Sequence, residues 1–151
     1  MTSTNWLSHD EMRVWRAFIT ASSAMGTTID AALRKSNDIT LDDYEVLVHL
    51  SEADDSRLRM SDLSLTVLHS RSRLTQRIDR LEKRGFVARE KCDDDARGTW
   101  AVLTSDGQAA IEDAAPYHVE HVREFFFDRI DPADVPTLRR SLEAVASQLR
   151  S

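Results

Sequence analysis

The run Ser70-Arg71-Ser72-Arg73-Leu74-Thr75-Gln76-Arg77-Ile78-Asp79-Arg80-Leu81-Glu82-Lys83-Arg84-Gly85 decides the fold. Its apolar residues Leu74, Ile78 and Leu81 recur at helical spacing and share one face. Ser70 stands at the N-cap position, and Gly85 stands where a helix closes on a left-handed residue. The pattern predicts a helix from Arg71 to Arg84. With the stripe on the core, Ser72, Gln76, Asp79, Arg80 and Lys83 face away from it, and Arg73 and Arg77 lie at the edges.

Upstream, Ser61 reads as the N-cap of a short helix from Asp62 to Leu68 that buries Leu63, Val67 and Leu68, followed by a turn at His69-Ser70. Before it, Glu52 to Arg57 is a polar turn and Arg57-Leu58-Arg59-Met60 a short strand. Downstream, Phe86 to Cys92 and Trp100 to Thr104 read as two strands around a polar tip, Asp93 to Gly98. Short helix, turn, helix and hairpin make a helix-turn-helix with a wing. The N-terminal half of such a second helix is the part that reaches base edges in the major groove, and here it carries Ser70, Arg71, Ser72, Arg73 and Gln76. Arginine pairs bidentately with guanine and glutamine with adenine, while a helix N-terminus favours phosphate. Arg77 and Arg80 extend this candidate DNA-binding set. On the wing, Arg97 is a candidate for a minor groove or a phosphate, and Asp95 is a candidate to orient it. The plainer reading of the tip is a set of charges that keeps a hairpin soluble.

These residues also carry a family resemblance. The run from Leu63 through Ser70–Arg89, together with Asp95-Ala96-Arg97-Gly98 and Val102-Leu103-Thr104-Ser105-Asp106-Gly107, resembles the MarR (multiple antibiotic resistance regulator) family and its D-x-R … V-x-L-T-x-x-G wing. The resemblance implies a homodimeric winged-helix transcription regulator that dimerises through its first and last helices and binds a pseudo-palindrome in double-stranded DNA. It also implies that many such proteins are repressors released by a small aromatic or phenolic effector. Gln76 stands where the family commonly has Arg, and Ala96 where it commonly has a second basic wing residue. The first puts base preference in doubt; the second weakens the wing's phosphate contact.

The rest of the chain fits a mainly α protein. A first helix is expected from about Ser8 to Arg34, with Met12, Trp15, Phe18, Ile19, Met25, Ile29 and Leu33 at helical spacing and a break at Asn37-Asp38. Thr40 caps a second helix, Leu41 to Leu50, whose Asp42 and Asp43 suit the helix dipole. A fifth runs from Ser105 towards Arg129, kinked or split at Pro116, and a sixth from Pro132 to Leu149. Residues 1–36 and 105–151 are expected to form a dimerisation region, and 37–104 the winged helix-turn-helix, in one intertwined domain.

At 151 residues the chain has the length of about one domain and can bury a core without disulfides. One cysteine excludes a disulfide framework within the chain and a Cys-rich zinc site. No apolar run approaches a membrane span, and Met1 to Trp6 has no signal-peptide pattern, so a soluble, cytoplasmic protein is expected. The net charge of −6 argues against a polyanion partner only if it is evenly spread. It is not: Arg57 to Lys91 carries ten basic and four acidic residues, a net of +6, leaving −12 for the remainder. Such an island is the footprint of a polyanion-binding surface, or else a solvated mixed-charge face.

Single residues admit competing readings. Cys92 is a redox candidate, flanked by Arg89 and Lys91 but also by Asp93 to Asp95; a passive strand residue is the simpler reading. The resemblance places the reactive cysteine of peroxide-sensing members in the first helix instead. His118 and His121 have a spacing that can serve one metal, or merely titrate on an exposed helix; no metal site or cofactor is expected. Trp15 and Phe18, with Tyr44 and His49, are candidates to line a ligand cleft where the resemblance places effectors, or are simply core. Phe125-Phe126-Phe127 reads as rings around one helix buried in a dimer. Nucleophile-elbow, P-loop, dinucleotide and zinc-hydrolase spacings are all absent, so no enzyme is expected. The alternative to DNA binding is a winged-helix module that pairs with another protein.

Overall fold

A computed structural model describes residues 4–67, 70–92 and 95–149, with the side chains of 95–97 outside that description. It is mainly helical with one small sheet. α1 spans His9–Asn37, α2 Leu41–Glu52, β1 Arg57–Arg59, α3 Met60–Thr66, α4 Arg71–Lys83, β2 Val87–Cys92, β3 Asp95–Leu103, α5 Ser105–Phe125 and α6 Val135–Leu149. The sheet is antiparallel in the order β1-β3-β2, and among its pairs are Arg59 with Trp100 and Val87 with Leu103.

The ends of these elements are set by side-chain chemistry. Ser8 and Glu11 form a reciprocal capping box at the start of α1, and Asp38 closes that helix in the left-handed conformation. Thr40 Oγ1 accepts from the Asp43 N–H at the start of α2. At the end of α4, the Phe86 N–H reaches the Leu81 carbonyl and the Gly85 N–H the Glu82 carbonyl, with Gly85 at φ +78°. That is a Schellman closure, and a residue without Cβ adopts it at no steric cost.

The core sits where α2 is wrapped by its neighbours. Leu47 and Leu50 of α2, Leu63 of α3, Leu74, Ile78 and Leu81 of α4 and Ala101 of β3 are all fully buried. The stripe expected on α4 is therefore the anchoring face. By contrast, α1 buries only Ile29 and Leu33, near its C-terminal end, and α6 buries nothing.

Several expected boundaries shift. The third helix starts at Met60, with Arg59 as N-cap, so Ser61 lies inside it and contacts Asp62 instead of capping. Chain leaving β1 already has the extended backbone an N-cap needs, which moves the start forward. Of the turn expected at His69-Ser70, and of Leu68, the first of its residues and Leu68 lie outside the described residues. β3 begins at Asp95, so the strand takes in residues read as hairpin tip, with a shift of register at Lys91/Cys92. Pro116 neither splits nor ends α5, which runs on to Phe125. Because α5 stops there, Phe125, Phe126 and Phe127 do not ring one helix; Phe127 begins a 3-10 turn and packs edge-on against Phe126. The sixth helix starts at Val135, later than expected, after a turn closed by Asp131.

Candidate nucleic-acid interface

The side chains at the start of α4 face solvent. Ser70 Oγ accepts from the Arg73 N–H and lies 3.3 Å from Ser72 Oγ, which fixes the first turn. Arg71, Ser72, Arg73 and Gln76 are exposed on that turn and the next. Neither Arg71 nor Arg73 enters an ion pair among the described residues, so both guanidinium groups are available to a ligand. Asp95 and Arg97 belong to β3 by backbone, and their side chains lie outside the described residues.

Arg77 differs from its sequence reading. Its guanidinium turns towards α2, donating from Nη1 to Asp43 Oδ1 at 2.7 Å and from Nη2 to Asp42 Oδ2 at 2.5 Å. Its side chain is 12% exposed and that of Asp43 6%, so the pair is largely withdrawn from water. Arg77 is thus turned towards two carboxylates and away from solvent. Arg80 is shared. It reaches Asp43 Oδ1 at 3.4 Å but stays 57% exposed.

The opposite flank of α4 is tied to the wing. Arg89 of β2 donates from Nη2 to Asp79 and from Nη1 to Glu82, each at 2.6 Å, and its backbone N–H also reaches Glu82. Burial works against the charge of Arg89, but the bonds to Asp79 and Glu82 outweigh it and hold its pKa above the ordinary value. On the outer sheet face, Arg57 and Arg59 both lie over the Trp100 ring, at 4.9 and 5.2 Å from its centroid.

The four residues read as a ligand cleft do not come together in one chain. Tyr44 and His49 line a cavity of about 330 Å³ with Glu45, Val48, Thr66, Val67 and His118. Trp15 and Phe18 instead lie on the exposed stretch of α1, 6.3 Å apart by ring centroids. His118 is the member that sequence reasoning missed. Its ring lies 4.7 Å from that of Tyr44, and its Nδ1 is buried without a hydrogen-bond partner. Burial, and then the charge of His121, hold its pKa below the ordinary histidine value. His121 turns its Nδ1 to the Tyr117 carbonyl, 2.6 Å away. Among the described residues no three His, Cys, Asp or Glu side chains gather as a metal site, and Cys92 is buried.

The sequence model of the MarR family (MarR_2) matches residues 37–98. The fold matches the crystal structure of AbsC, a MarR family transcriptional regulator from Streptomyces coelicolor. Identity is 38%, over 97% of this chain and 99% of that one, with a TM-score of 0.90. The chain belongs to the MarR family. A second MarR family regulator from Streptomyces coelicolor, Sco3205, was solved in complex with DNA. It is 37% identical over 97% of this chain and 92% of its own, with a TM-score of 0.91. The MarR fold extends to CouR from Rhodococcus jostii RHA1, bound to p-coumaroyl-CoA. There identity falls to 22%, over 95% of this chain and 96% of that one, at a TM-score of 0.78. No curated protein matches the sequence significantly. Within the MarR frame, α3 and α4 are the helix-turn-helix and β2–β3 the wing. Among the described residues no helix is long and apolar enough to cross a membrane.

Proposed function

We propose that the chain is a sequence-specific, double-stranded-DNA-binding transcriptional regulator, acting as a homodimer on a pseudo-palindromic operator and released by a small aromatic or phenolic effector. One observation carries the reading: the first turns of α4 present Arg71, Ser72, Arg73 and Gln76 to solvent, with both arginines unpaired among the described residues. Arg71, Arg73 and Gln76 read base edges, Ser70 and Ser72 lie beside phosphate at the helix N-terminus, and Arg97 with Asp95 forms the wing contact. Binding is the function; no catalytic role is proposed for any residue.

The dimer is supported by apolar surface that one chain leaves uncovered. Trp15, Phe18 and Ile19 on α1 and Val145 and Leu149 on α6 are all exposed. Residues 1–36 and 105–151 form the dimerisation region, and 37–104 the reading head. Two reading heads then meet half-sites about one helical turn apart, ~34–36 Å between centres. The cavity beside Tyr44, His49 and His118 is the effector site; its unpartnered imidazole nitrogen supplies one directional contact beside the Tyr44 ring, Val48 and Val67.

Gel shifts on the DNA upstream of the protein's own coding region test the reading. Binding of the intact protein should weaken steeply as salt rises, and Arg73→Ala and Arg97→Ala should each weaken it further. Affinity unchanged from wild type in both variants would overturn the residue assignment. Absence of any salt-dependent duplex binding would overturn the function.

A further inference from the structure

The recognition helix is held on three sides, and the three restraints differ in kind. Leu74, Ile78 and Leu81 seat it on the core. On the α2 flank, helix arginines Arg77 and Arg80 meet Asp42 and Asp43. On the wing flank the polarity is reversed: helix acids Asp79 and Glu82 meet Arg89 of β2, which also donates to the Thr75 carbonyl. An apolar stripe is non-directional and leaves rotation about the helix axis soft. Forked guanidinium–carboxylate contacts are directional. One pair on each flank fixes the angle at which Ser72 and Gln76 point outwards.

One detail favours an orienting role over a merely adhesive one. Asp43 is buried to 4% exposure and receives two arginines, so it is a fixed post and not a mobile surface charge.

We propose that Arg77 and Arg89 are positioning residues that clamp the recognition helix from opposite flanks and so set base discrimination, without touching DNA themselves. The proposal rests on the DNA-binding reading above. Arg77 acts through Asp42 and Asp43, Arg89 through Asp79 and Glu82. Their loss lets α4 roll, which costs base contacts while leaving the phosphate-neutralising side chains in place.

The test uses the intact protein and two labelled duplexes of equal length. One is selected by the wild-type protein from a random-sequence pool; the other is its scrambled counterpart. Fluorescence anisotropy across a salt series gives affinity and salt slope for each. A lost phosphate contact lowers the slope by about 0.9 per contact, whereas a lost base contact leaves it unchanged. Arg77→Met, Arg77→Lys and Arg89→Met should each lose about tenfold in preference for the selected duplex, with the wild-type slope kept. The lysine variant is informative because a plain phosphate contact tolerates Lys, while a two-carboxylate fork does not. Asp43→Asn sharpens the sign. Removing an acid near a DNA face tightens binding by charge alone, but the clamp predicts weaker binding to the selected duplex.

A fall in slope of about 0.9 per contact for Arg77→Met would make Arg77 a direct phosphate contact and overturn the proposal. So would an unchanged preference in both Arg77→Lys and Arg89→Met. Lysine keeps the charge at the α2 flank, so that outcome is readable even where Asp43→Asn fails to fold, as judged by circular dichroism. Should the wild-type protein select no duplex, the functional reading itself falls, and the clamp with it.

Discussion

Gly107→Ala isolates one steric contact beneath the wing. Gly107 is the third residue of α5, and its N–H donates to Thr104 Oγ1 at 3.0 Å. A Cβ placed there would stand 2.2 Å from the Phe86 carbonyl oxygen and 2.7 Å from Leu103 Cδ1. Ordinary contact begins near 3.4 Å, so the Phe86 peptide has to retreat by about an ångström. That carbonyl accepts from the Thr104 N–H at 3.1 Å, and retreat breaks the bond. Overpacking costs ~1–3 kcal/mol, here at the upper end because backbone must move. The hydrogen bond adds about 1 kcal/mol, and alanine's better helix propensity returns about 1. The net expectation is a loss of about 2–3 kcal/mol. Urea unfolding followed by circular dichroism, at one fixed protein concentration, measures it. A loss under about 0.5 kcal/mol would refute the reasoning, because no side-chain rotation can relieve a clash with backbone. Gly107→Ser, with one more atom, should be worse than Gly107→Ala.

Gly85 gives the complementary case. Its Cβ would meet nothing nearer than 3.9 Å, but φ is +78°, so Gly85→Ala should cost about 1–2 kcal/mol by conformation alone and Gly85→Asn less, read by the same urea series. His118 should make stability pH-dependent. Its folded pKa lies below the ordinary 6.5, so the unfolded chain binds its proton first, and the contribution is complete above pH 6.5 and lost as pH falls through the folded value. Urea midpoints of wild type and His118→Phe should therefore diverge below pH 6.5, by at most about 1.4 kcal/mol per pH unit, and run parallel above it. Phe18→Glu places a charge within the exposed apolar stretch of α1, and light scattering at micromolar concentration should shift towards monomer; an unchanged dimer mass would locate the interface elsewhere.

The fold was legible because its signals are local. The stripe Leu74, Ile78, Leu81, the cap at Ser70 and the left-handed Gly85 all lie within sixteen consecutive residues, and each acts on its own helix. The same holds for Thr104 and Gly107 at the start of α5. The missing parts depend on distant partners. Arg77 at the edge of a helix is equally consistent with solvent, DNA or a carboxylate, and its choice rests on Asp42 and Asp43, some 35 positions earlier. Those aspartates satisfied a complete local explanation as acids at a helix N-terminus, which hid their second role. His118 was drawn to His121 by spacing, while its ring neighbour is Tyr44, on another helix. The start of the third helix moved two residues forward because the extended backbone leaving β1 at Arg59 supplied the cap.

The charge distribution shows why a count along the chain misjudges the surface. Arg57 to Lys91 sums to +6, yet Arg77 and Arg80 are met by Asp42 and Asp43, which lie outside that window in the acidic flank. Arg89 is met by two acids within it. Opposite charges in contact present only a weak dipolar field a Debye length away, ~8–10 Å at ordinary ionic strength. The field that a duplex meets at the recognition helix therefore comes from Arg71 and Arg73, with Lys83 at the far end and part of Arg80, and not from the full basic count. On the reading proposed above, attraction common to every sequence comes from these cations and the wing, and base discrimination falls to Arg71, Arg73 and Gln76, whose direction the proposed clamp holds.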